Sequence, residues 1–377
     1  MKKSNDELSI LKAIGIIAVV SCHLGGNILD ILSFPIAKDL FLFSEYSYHI
    51  PLFIFASGYF YKSIYENNIL ELTKKRFSSI KKYLKSNLFY FLLCFIFVTT
   101  GMLYRDVSFS FKSLLIEPFL GGFQFYFNGP GWFVPFLFLL QVLFALIRKI
   151  VLRKNIELEI ENRKNIKIEI LFLIFLILIG FVSTMISKRY IVVNDNVLWG
   201  HSLLRVLFGM QFYQMGYIYK MYIEDKINLS FKTFIVLIAS KFLFILLLGD
   251  YTFSLRTLKF NQSVFLPIIV SVLGILYALH LSKFTLKICK NCETKILKSI
   301  IFIGENTWSI MMHHLLVKWV LKKLYVIVLI DLNVILFAEY VISPILCILL
   351  PLFFSFIYNK EKVRQVVYAM NVEKSTN

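Results

Sequence analysis

Long apolar runs are the feature that most limits how this chain can fold. The clearest are LFLIFLILIGFV (171–182) and FIVLIASKFLFILLLG (234–249). A helix that crosses the apolar core of a bilayer needs about twenty predominantly apolar residues. The chain has 377 residues, 58% of them hydrophobic, and a mean hydropathy of +0.72. Because a soluble protein of this length has too little interior for so much apolar surface, the sequence predicts an all-α polytopic integral membrane protein.

The apolar runs predict about ten membrane-spanning helices. Their expected ranges are 8–28, 40–61, 83–104, 131–152, 168–187, 200–222, 231–249, 263–282, 306–329 and 333–358. The stretches 112–125 and 296–304 are too short to span, and we expect them to be interfacial or re-entrant. Residues 1–360 are therefore expected to form a single transmembrane domain, and 361–377 a short basic cytoplasmic tail.

The basic residues are distributed unevenly between the predicted spans. Seven Lys or Arg residues fall in 62–85 and seven in 148–167, whereas 24–45 contains one. Since cytoplasmic loops of membrane proteins are enriched in Lys and Arg, this pattern predicts that both termini are cytoplasmic. It also accounts for the net charge of +18, so we expect membrane lipids as partners and no nucleic acid.

The five cysteines do not predict a metal site. Cys289 and Cys292 form a single CxxC pair in a short basic loop. A tetrahedral zinc site needs four ligands, and the sequence offers no second pair, so no metal is expected.

Titratable side chains within the predicted spans are the first candidates for function. Each costs about 2.5–3.5 kcal/mol on membrane-insertion scales, so such residues usually face a cavity or a partner. They are Lys12, His23, His49, Arg205, Lys241, His280, His313, His314 and Lys318.

Lys12 and His23 lie on the first predicted span, eleven residues apart. This spacing is about three helical turns, so the two side chains share one face of the helix. An imidazole can take a proton from a hydroxyl near neutral pH, although His23 taken alone favours a neutral ring bonded to another helix. Lys12 could extend to the headgroups or offer its charge to an anionic ligand. The pair favours a shared cavity.

Two further segments carry polar or aromatic residues at defined positions. YSYHIPLFIFASGYFYK (46–62) places His49 at the expected outer mouth, and its Ser57-Gly58 pair favours close helix packing. NGPGWFVPFLF (128–138) begins with a turn signal, which favours Trp132 as an anchor at the membrane interface.

In the segment GENTWSIMMHH (304–314), Gly304 and Asn306-Thr307 predict a helix stop followed by the cap of a new helix. His313 and His314 then lie one to two turns into the ninth span. Adjacent helical residues point about 100° apart, so the two histidines cannot both face one cavity equally well.

Four segments taken together resemble the membrane acyltransferase-3 family. They are LKAIGIIAVVSCH (11–23), HIPLFIFASGYFYK (49–62), GPGWFVPFLFLLQ (129–141) and IGENTWSIMMHHLL (303–316). They occur in the family's order and extend over most of the chain. The resemblance is greatest to the subgroup of polysaccharide, capsule and fucose acetylase-like O-acetyltransferases. Ser9 stands where the family often has Asp, and Arg76 is one arginine where it usually has two.

The resemblance implies a multi-pass enzyme of the bacterial cytoplasmic membrane. It would move an acyl group, usually acetyl, from acyl-CoA to a hydroxyl of a cell-surface polysaccharide or lipid-linked glycan, with acetyl-CoA as the donor substrate. It implies that His23 is the catalytic residue and Lys12 its basic partner. The expected substrate-binding or CoA-binding residues are Lys74, Lys75, Arg76, His49, Trp132, Arg205, His313 and His314.

The residues leave several alternatives open. The basic cluster at 74–82 fits either the phosphates of CoA or attraction to anionic lipids. Arg205 or a backbone N–H could stabilise a developing oxyanion. The whole chain could also be a transporter or flippase of exopolysaccharide intermediates, or a structural membrane partner. Transport would tolerate Gln in place of His23 if only polarity mattered, whereas proton transfer would not.

Overall fold

Helices make up nearly all of the computed structural model. It describes residues 6–24, 48–63, 65, 68–103, 109–120, 125–159, 166–191, 198–226, 230–248, 253–260, 265–289, 295–328 and 332–357. In the first half the elements are α1 (Asp6–Leu24), α2 (His49–Tyr59), α3 (Ile69–Thr99), α4 (Phe111–Leu115), α5 (Glu117–Leu120), a 3-10 helix (Tyr126–Trp132), α6 (Phe133–Glu159) and α7 (Ile166–Ile186). A π-helical turn (Ser187–Ile191) follows α7.

The second half continues with helices and one short hairpin. Its elements are α8 (Leu198–Ile218), a π-helical turn (Tyr219–Ile223), α9 (Phe231–Leu248), β1 (Phe253–Ser254), β2 (Lys259–Phe260), α10 (Phe265–Cys289), α11 (Lys295–Glu305), α12 (Thr307–Val328), α13 (Leu332–Phe337), a π-helical turn (Ala338–Ile342) and α14 (Ser343–Ile357). Strands β1 and β2 pair antiparallel, with Phe253 opposite Phe260.

Five helical segments within the described ranges are long and apolar enough to cross a membrane. They are Asp6–Leu24, Ile69–Thr99, Tyr126–Leu152, Ile166–Arg189 and Phe265–Cys289. Each overlaps a predicted span, so the all-α membrane class is confirmed. The other predicted crossings and the orientation of the termini stay predictions. Residues 40–47 of the second predicted span and the tail at 361–377 lie outside the described residues.

Helix α1 lies at the centre of the packing. It contacts α2, α10, α11 and α12, and most of its residues are buried. Because α1 is apolar over most of its surface, it is stable only when other helices or lipid surround it. The contact with α11 is close, since a Cβ on Gly304 would lie 1.7 Å from the carbonyl oxygen of Ser9.

A crossing of small residues joins α2 to α8. A Cβ on Gly58 would lie 1.9 Å from the carbonyl oxygen of Tyr213, and a Cβ on Gly216 would lie 2.0 Å from that of Phe55. Only glycine lets the two backbones approach this closely, which confirms the close packing predicted for Ser57-Gly58.

The predicted short stretches are also short in the structure. The described part of the stretch 112–125 contains most of α4 and all of α5. The stretch 296–304 lies within α11, whose eleven residues are too few to span. Asn306 separates α11 from α12, as the predicted helix stop and start require.

Candidate active site

A cavity of about 700 Å³ lies beside α1. Its other walls come from α2, α3, the 3-10 helix, α6, the β1–β2 hairpin and the start of α12. The α1 wall consists of Lys12, Ile16, Val19 and His23. These positions recur at the spacing of one helical face, so Lys12 and His23 do share a cavity, as their separation predicts.

Helices α1 and α2 run antiparallel along this cavity. The α-carbon of Gly15 in the middle of α1 packs against Leu52 and Phe53, whereas His23 near the end of α1 lies within electrostatic range of His49 at the start of α2. The cavity therefore has two ends. The antiparallel packing directs Ser57 of α2 toward the Lys12 end, where Gln141 bonds to Ser57 and Arg76 approaches the same tyrosine, Tyr213, as Ser57 does. The His23 end contains His23, His49 and Arg256, with Trp132 beside them.

The Lys12 end combines two cations with a polar pair. Gln141 donates a hydrogen bond from Nε2 to Ser57 Oγ over 2.6 Å. Arg76 projects from α3, and its buried Nε finds no hydrogen-bond partner among the described residues. Glu305, which does not line the cavity, lies within electrostatic range of Lys12. This end can accept an anionic group that brings its own oxygen acceptors.

At the His23 end, two residues of α12 hold the catalytic candidate. Lys318 donates a hydrogen bond from Nζ to the carbonyl oxygen of His23 over 2.7 Å, which satisfies an acceptor at the end of α1. The rings of His23 and His314 lie 5.4 Å apart between centroids, tilted by 40°. His314 Nδ1 is 2.9 Å from the carbonyl oxygen of Ile310. Since a carbonyl only accepts, Nδ1 carries the proton and Nε2 is an acceptor.

The charges near His23 are of one sign among the described residues that act on it. Lys318 and Arg256 are cations, and the rings of His314 and His49 would add positive charge only if they were protonated. Positive groups near His23 can stabilise a group that becomes negative during a reaction.

Several predicted site residues lie elsewhere. His314 is fully buried behind His23, and His313 points away from it to share a 2.6 Å hydrogen bond with the hydroxyl of Tyr90. This divergence is the 100° separation predicted for adjacent residues. Neither histidine lines the cavity.

Trp132 and Arg205 pack together at the cavity wall. Trp132 lines the cavity and is only 6% exposed, so its predicted role as an interfacial anchor is wrong. The turn before it forms the 3-10 helix that packs against α12 and directs the indole inward. The Arg205 guanidinium carbon lies 5.6 Å from the centre of the Trp132 ring system, behind the cavity lining. Arg205 therefore supports the wall and is separated from the cavity by the indole.

Of the three basic residues predicted after the second span, only Arg76 lines the cavity. Lys74 and Lys75 are exposed, and Lys75 donates a hydrogen bond from Nζ to the Tyr65 hydroxyl over 2.9 Å. Consecutive residues on α3 point in different directions, so a basic run on one helix presents a single member to a given cavity.

Three residues of the site were not among the expected catalytic or binding residues. Gln141 is a lone amide within an apolar run, and Lys318 is a charge within a predicted span, so both gave a signal in the sequence. Arg256 gave none, because it lies between spans and reaches the cavity only through the fold of the hairpin.

Two other candidates do not join the site. His280 stacks on Phe234 with ring centroids 4.9 Å apart, away from the cavity. The side chain of Lys241 and all of Cys292 lie outside the described residues. In the part of the chain that the structure describes, no group of three or more His, Cys, Asp or Glu residues is placed to hold a metal ion.

Comparison with known proteins identifies the family. The model of the acyltransferase-3 family, described as an acyltransferase domain, matches residues 5–358. No curated protein and no solved structure gives a significant match. The family match covers nearly the whole chain, including every residue that lines the cavity. The chain therefore belongs to the acyltransferase-3 family and is a membrane acyltransferase.

Proposed function

We propose that the protein is an O-acetyltransferase of the bacterial cytoplasmic membrane. It moves an acetyl group from acetyl-CoA to a hydroxyl of a cell-surface polysaccharide or lipid-linked glycan, within the polysaccharide and capsule O-acetyltransferase subgroup of its family. The observation that carries the proposal is the shared cavity of Lys12 and His23, which joins a cationic site for a donor to a histidine suited to proton transfer.

The donor binds with its phosphates at the Lys12 end. Lys12 and Arg76 offer two positive charges there, and the Arg76 guanidinium suits a phosphate through paired N–H donors. Lys12 and His23 are separated by about 16 Å along α1 at 1.5 Å per residue. The flexible pantetheine arm of CoA follows this distance between apolar side chains such as Ile16 and Val19, and brings the thioester to His23.

At the His23 end, the acceptor hydroxyl loses its proton to His23 as its oxygen attacks the thioester carbonyl. The new C–O bond forms, the C–S bond breaks, and the departing thiolate takes the proton back from His23. Alternatively, a ring nitrogen of His23 attacks the thioester carbonyl, the C–S bond breaks and CoA leaves as its thiolate. The acceptor oxygen then attacks the acetyl group on His23, the C–N bond breaks, and the hydroxyl proton passes to the thiolate. Both routes require a basic ring nitrogen on His23, and both gain from the nearby positive charges when the tetrahedral oxyanion forms.

Complementation of a deletion strain tests this function. The strain would carry wild type, His23→Gln, or His280→Gln as a matched control for replacing a buried intramembrane histidine outside the cavity. Proton NMR of the surface glycan would measure its O-acetyl content, and immunoblots would measure insertion of each variant. We expect wild type and His280→Gln to restore the O-acetyl signals and His23→Gln to fail.

The same experiment tests the transporter alternative. If the glycan keeps its O-acetyl groups in the deletion strain while its export collapses, the protein is a flippase and the acetyltransferase proposal is wrong. A Gln in place of His23 would then preserve export.

A further inference from the structure

We propose that Ser57 and Gln141 bind the pantetheine arm of CoA through its amide and hydroxyl groups, next to the phosphates at the Lys12 end of the cavity. This inference rests on the proposed function and names the part of the donor that the same site recognises. It makes Gln141 a residue that selects pantetheine thioesters over simpler ones. Three features carry it: the position of the pair on the cavity wall, the hydrogen-bonding groups that it offers, and the apolar surface around it.

Gln141 lies at one end of the cavity face of α6. The residues of α6 that line the cavity recur at the spacing of one helical face, and they are Phe133, Val134, Leu137, Phe138 and Gln141. Phe133 follows Trp132 at the His23 end, and Gln141 lies about 12 Å further along the helix at 1.5 Å per residue. Its hydrogen bond to Ser57 places it at the Lys12 end.

The fold holds this pair in place. Ser57 precedes Gly58, whose backbone packs directly on the carbonyl oxygen of Tyr213 where α2 crosses α8. The 2.6 Å hydrogen bond from Gln141 Nε2 to Ser57 Oγ then joins α6 to α2. Gln141 is only 3% exposed and yet lines the cavity. A polar side chain that is this buried gains from pairing its remaining groups with a ligand.

The pair offers groups of both kinds to a ligand. Gln141 Oε1 accepts no hydrogen bond from a described residue, and the Ser57 hydroxyl, which accepts from Gln141, still has its own hydrogen to donate. Exchanging the oxygen and nitrogen of the Gln141 amide reverses the two roles and again leaves one acceptor and one donor. An amide in a ligand presents a carbonyl oxygen and an N–H together, so it matches this combination.

The pantetheine arm of CoA carries such groups in the right place. It contains two amides in a saturated chain, and the amide nearer the phosphates adjoins a hydroxyl. Phosphates bound by Lys12 and Arg76 therefore bring this amide and this hydroxyl to Ser57 and Gln141, which lie at the same end of the cavity.

The walls toward His23 favour the same placement. Helices α1, α2 and α6 present apolar side chains there, among them Ile16, Phe53 and Leu137. An amide on such a surface loses its hydrogen bonds to water without gaining others, which costs free energy. A site whose buried polar groups pair with a ligand also rejects an analogue that lacks the matching groups, because the site's own groups stay unpaired. Gln141 therefore discriminates between donors.

Three acetyl donors of decreasing size test the proposal with the purified protein in lipid nanodiscs and extracted host glycan as acceptor. They are acetyl-CoA, S-acetylpantetheine, which lacks the phosphates and the nucleotide, and S-acetyl-N-acetylcysteamine, which also lacks the hydroxyl and its adjoining amide. The value of kcat/KM is compared between wild type, Gln141→Leu and Gln211→Leu. Gln211 on α8 is a fully buried glutamine that does not line the cavity, so it controls for replacing a buried amide.

We expect Gln141→Leu to lower kcat/KM for acetyl-CoA and S-acetylpantetheine by the same factor, about threefold to tenfold, the range for loss of one neutral hydrogen bond. The value for S-acetyl-N-acetylcysteamine should stay unchanged, and Gln211→Leu should behave as wild type. Ser57→Ala should show the same dependence on the donor, and it decides the test if Gln141→Leu does not insert. Arg76→Gln should lower only the value for acetyl-CoA, since that donor alone carries phosphates.

Three results would overturn the proposal. Gln141→Leu could leave kcat/KM for acetyl-CoA unchanged, it could lower the value for acetyl-CoA alone, or it could lower the values for all three donors equally. The second result would place Gln141 in phosphate binding, and the third would show a general disturbance of the site.

Calorimetry with CoA and no acceptor separates these failures from failure of the proposed function. If wild type binds no CoA, the proposed function fails, and this inference fails with it. If wild type binds CoA but transfers no acetyl group to the glycan, only the acceptor is wrong. A lower affinity of Gln141→Leu for CoA then still supports the inference, and an equal affinity overturns it.

Discussion

Two sites within the helical bundle contain positive charge, and they differ in whether a carboxylate of the same site pairs with it. Arg148 on α6 pairs with both carboxylate oxygens of Glu169 on α7, and also donates to Gln214 Oε1 over 3.2 Å. Gln214 in turn donates to Glu169 over 2.7 Å, and the guanidinium stacks on Tyr217 at 4.6 Å. In the cavity, by contrast, several cations share a space with no lining carboxylate among the described residues.

The difference shows how to interpret intramembrane charge. The Arg148–Glu169 cluster is complete in itself, since charge, hydrogen bonds and ring contacts all come from the protein. Such a pair joins helices, and breaking it is costly because one buried charge is left without its partner. The described lining of the cavity supplies no carboxylate, so its cations can interact with an anion that enters the cavity. The counter-charge, more than the charge itself, distinguishes a structural cluster from a binding site.

The largest expected effect is on stability. Replacing Arg148 with Met leaves Glu169 as a buried charge without its partner, so we expect the free energy of unfolding to fall by about 3–5 kcal/mol. Replacing Lys12 with Met should change stability much less, because Lys12 forms no close ion pair among the described residues and loses only the longer-range attraction of Glu305. Unfolding of both variants in mixed micelles measures these changes in the free energy of unfolding.

The double variant Arg148→Met, Glu169→Leu sharpens this prediction. It removes both charges and should recover most of the lost stability. If Arg148→Met and Lys12→Met destabilise the protein equally, the two sites do not differ in the way described.

A second effect concerns the donor. Arg76→Gln removes a guanidinium from the Lys12 end, and we expect the KM for acetyl-CoA to rise about tenfold or more with little change in kcat. Lys75→Gln is the matched control, since the exposed Lys75 is bonded to Tyr65 and does not line the cavity. Equal effects of the two substitutions would show that general surface charge, and not the cavity, attracts the donor.

A smaller effect is expected at Lys318. Lys318→Met removes the hydrogen bond to the His23 carbonyl and should cost about 1–3 kcal/mol of stability. It should also lower kcat several-fold, since His23 is less firmly held, while the KM for acetyl-CoA stays constant. Steady-state kinetics measure kcat and the KM for acetyl-CoA separately. A changed KM with a constant kcat would place Lys318 in donor binding instead.

The sequence predicts those parts of the fold that depend on local periodicity. The apolar runs identify the five helices that are long and apolar enough to span, and helical spacing places Lys12 and His23 on one face. Gly58 also predicts a close helix crossing, because a small residue permits close approach whichever helix packs against it.

The rest depends on contacts between distant segments, which local patterns do not encode. The residues at 74–76 look alike in the sequence, and only the packing of α3 beside the cavity selects Arg76. Arg205 is a charge in a span, yet the Trp132 ring separates it from the cavity. Arg256 enters the site through a hairpin whose partners, Ser187 and His201, lie more than fifty residues away.

The most direct test of the central claim measures donor binding and acetyl transfer separately in one variant. Wild type and His23→Gln would be purified in nanodiscs, the affinity for CoA measured by calorimetry, and transfer of acetyl groups to extracted host glycan followed over time. We predict that His23→Gln binds CoA as wild type does, because the Lys12 end is intact, while transfer falls by about 10²–10⁴-fold. Transfer within a few-fold of wild type would contradict the account and remove His23 from the chemistry.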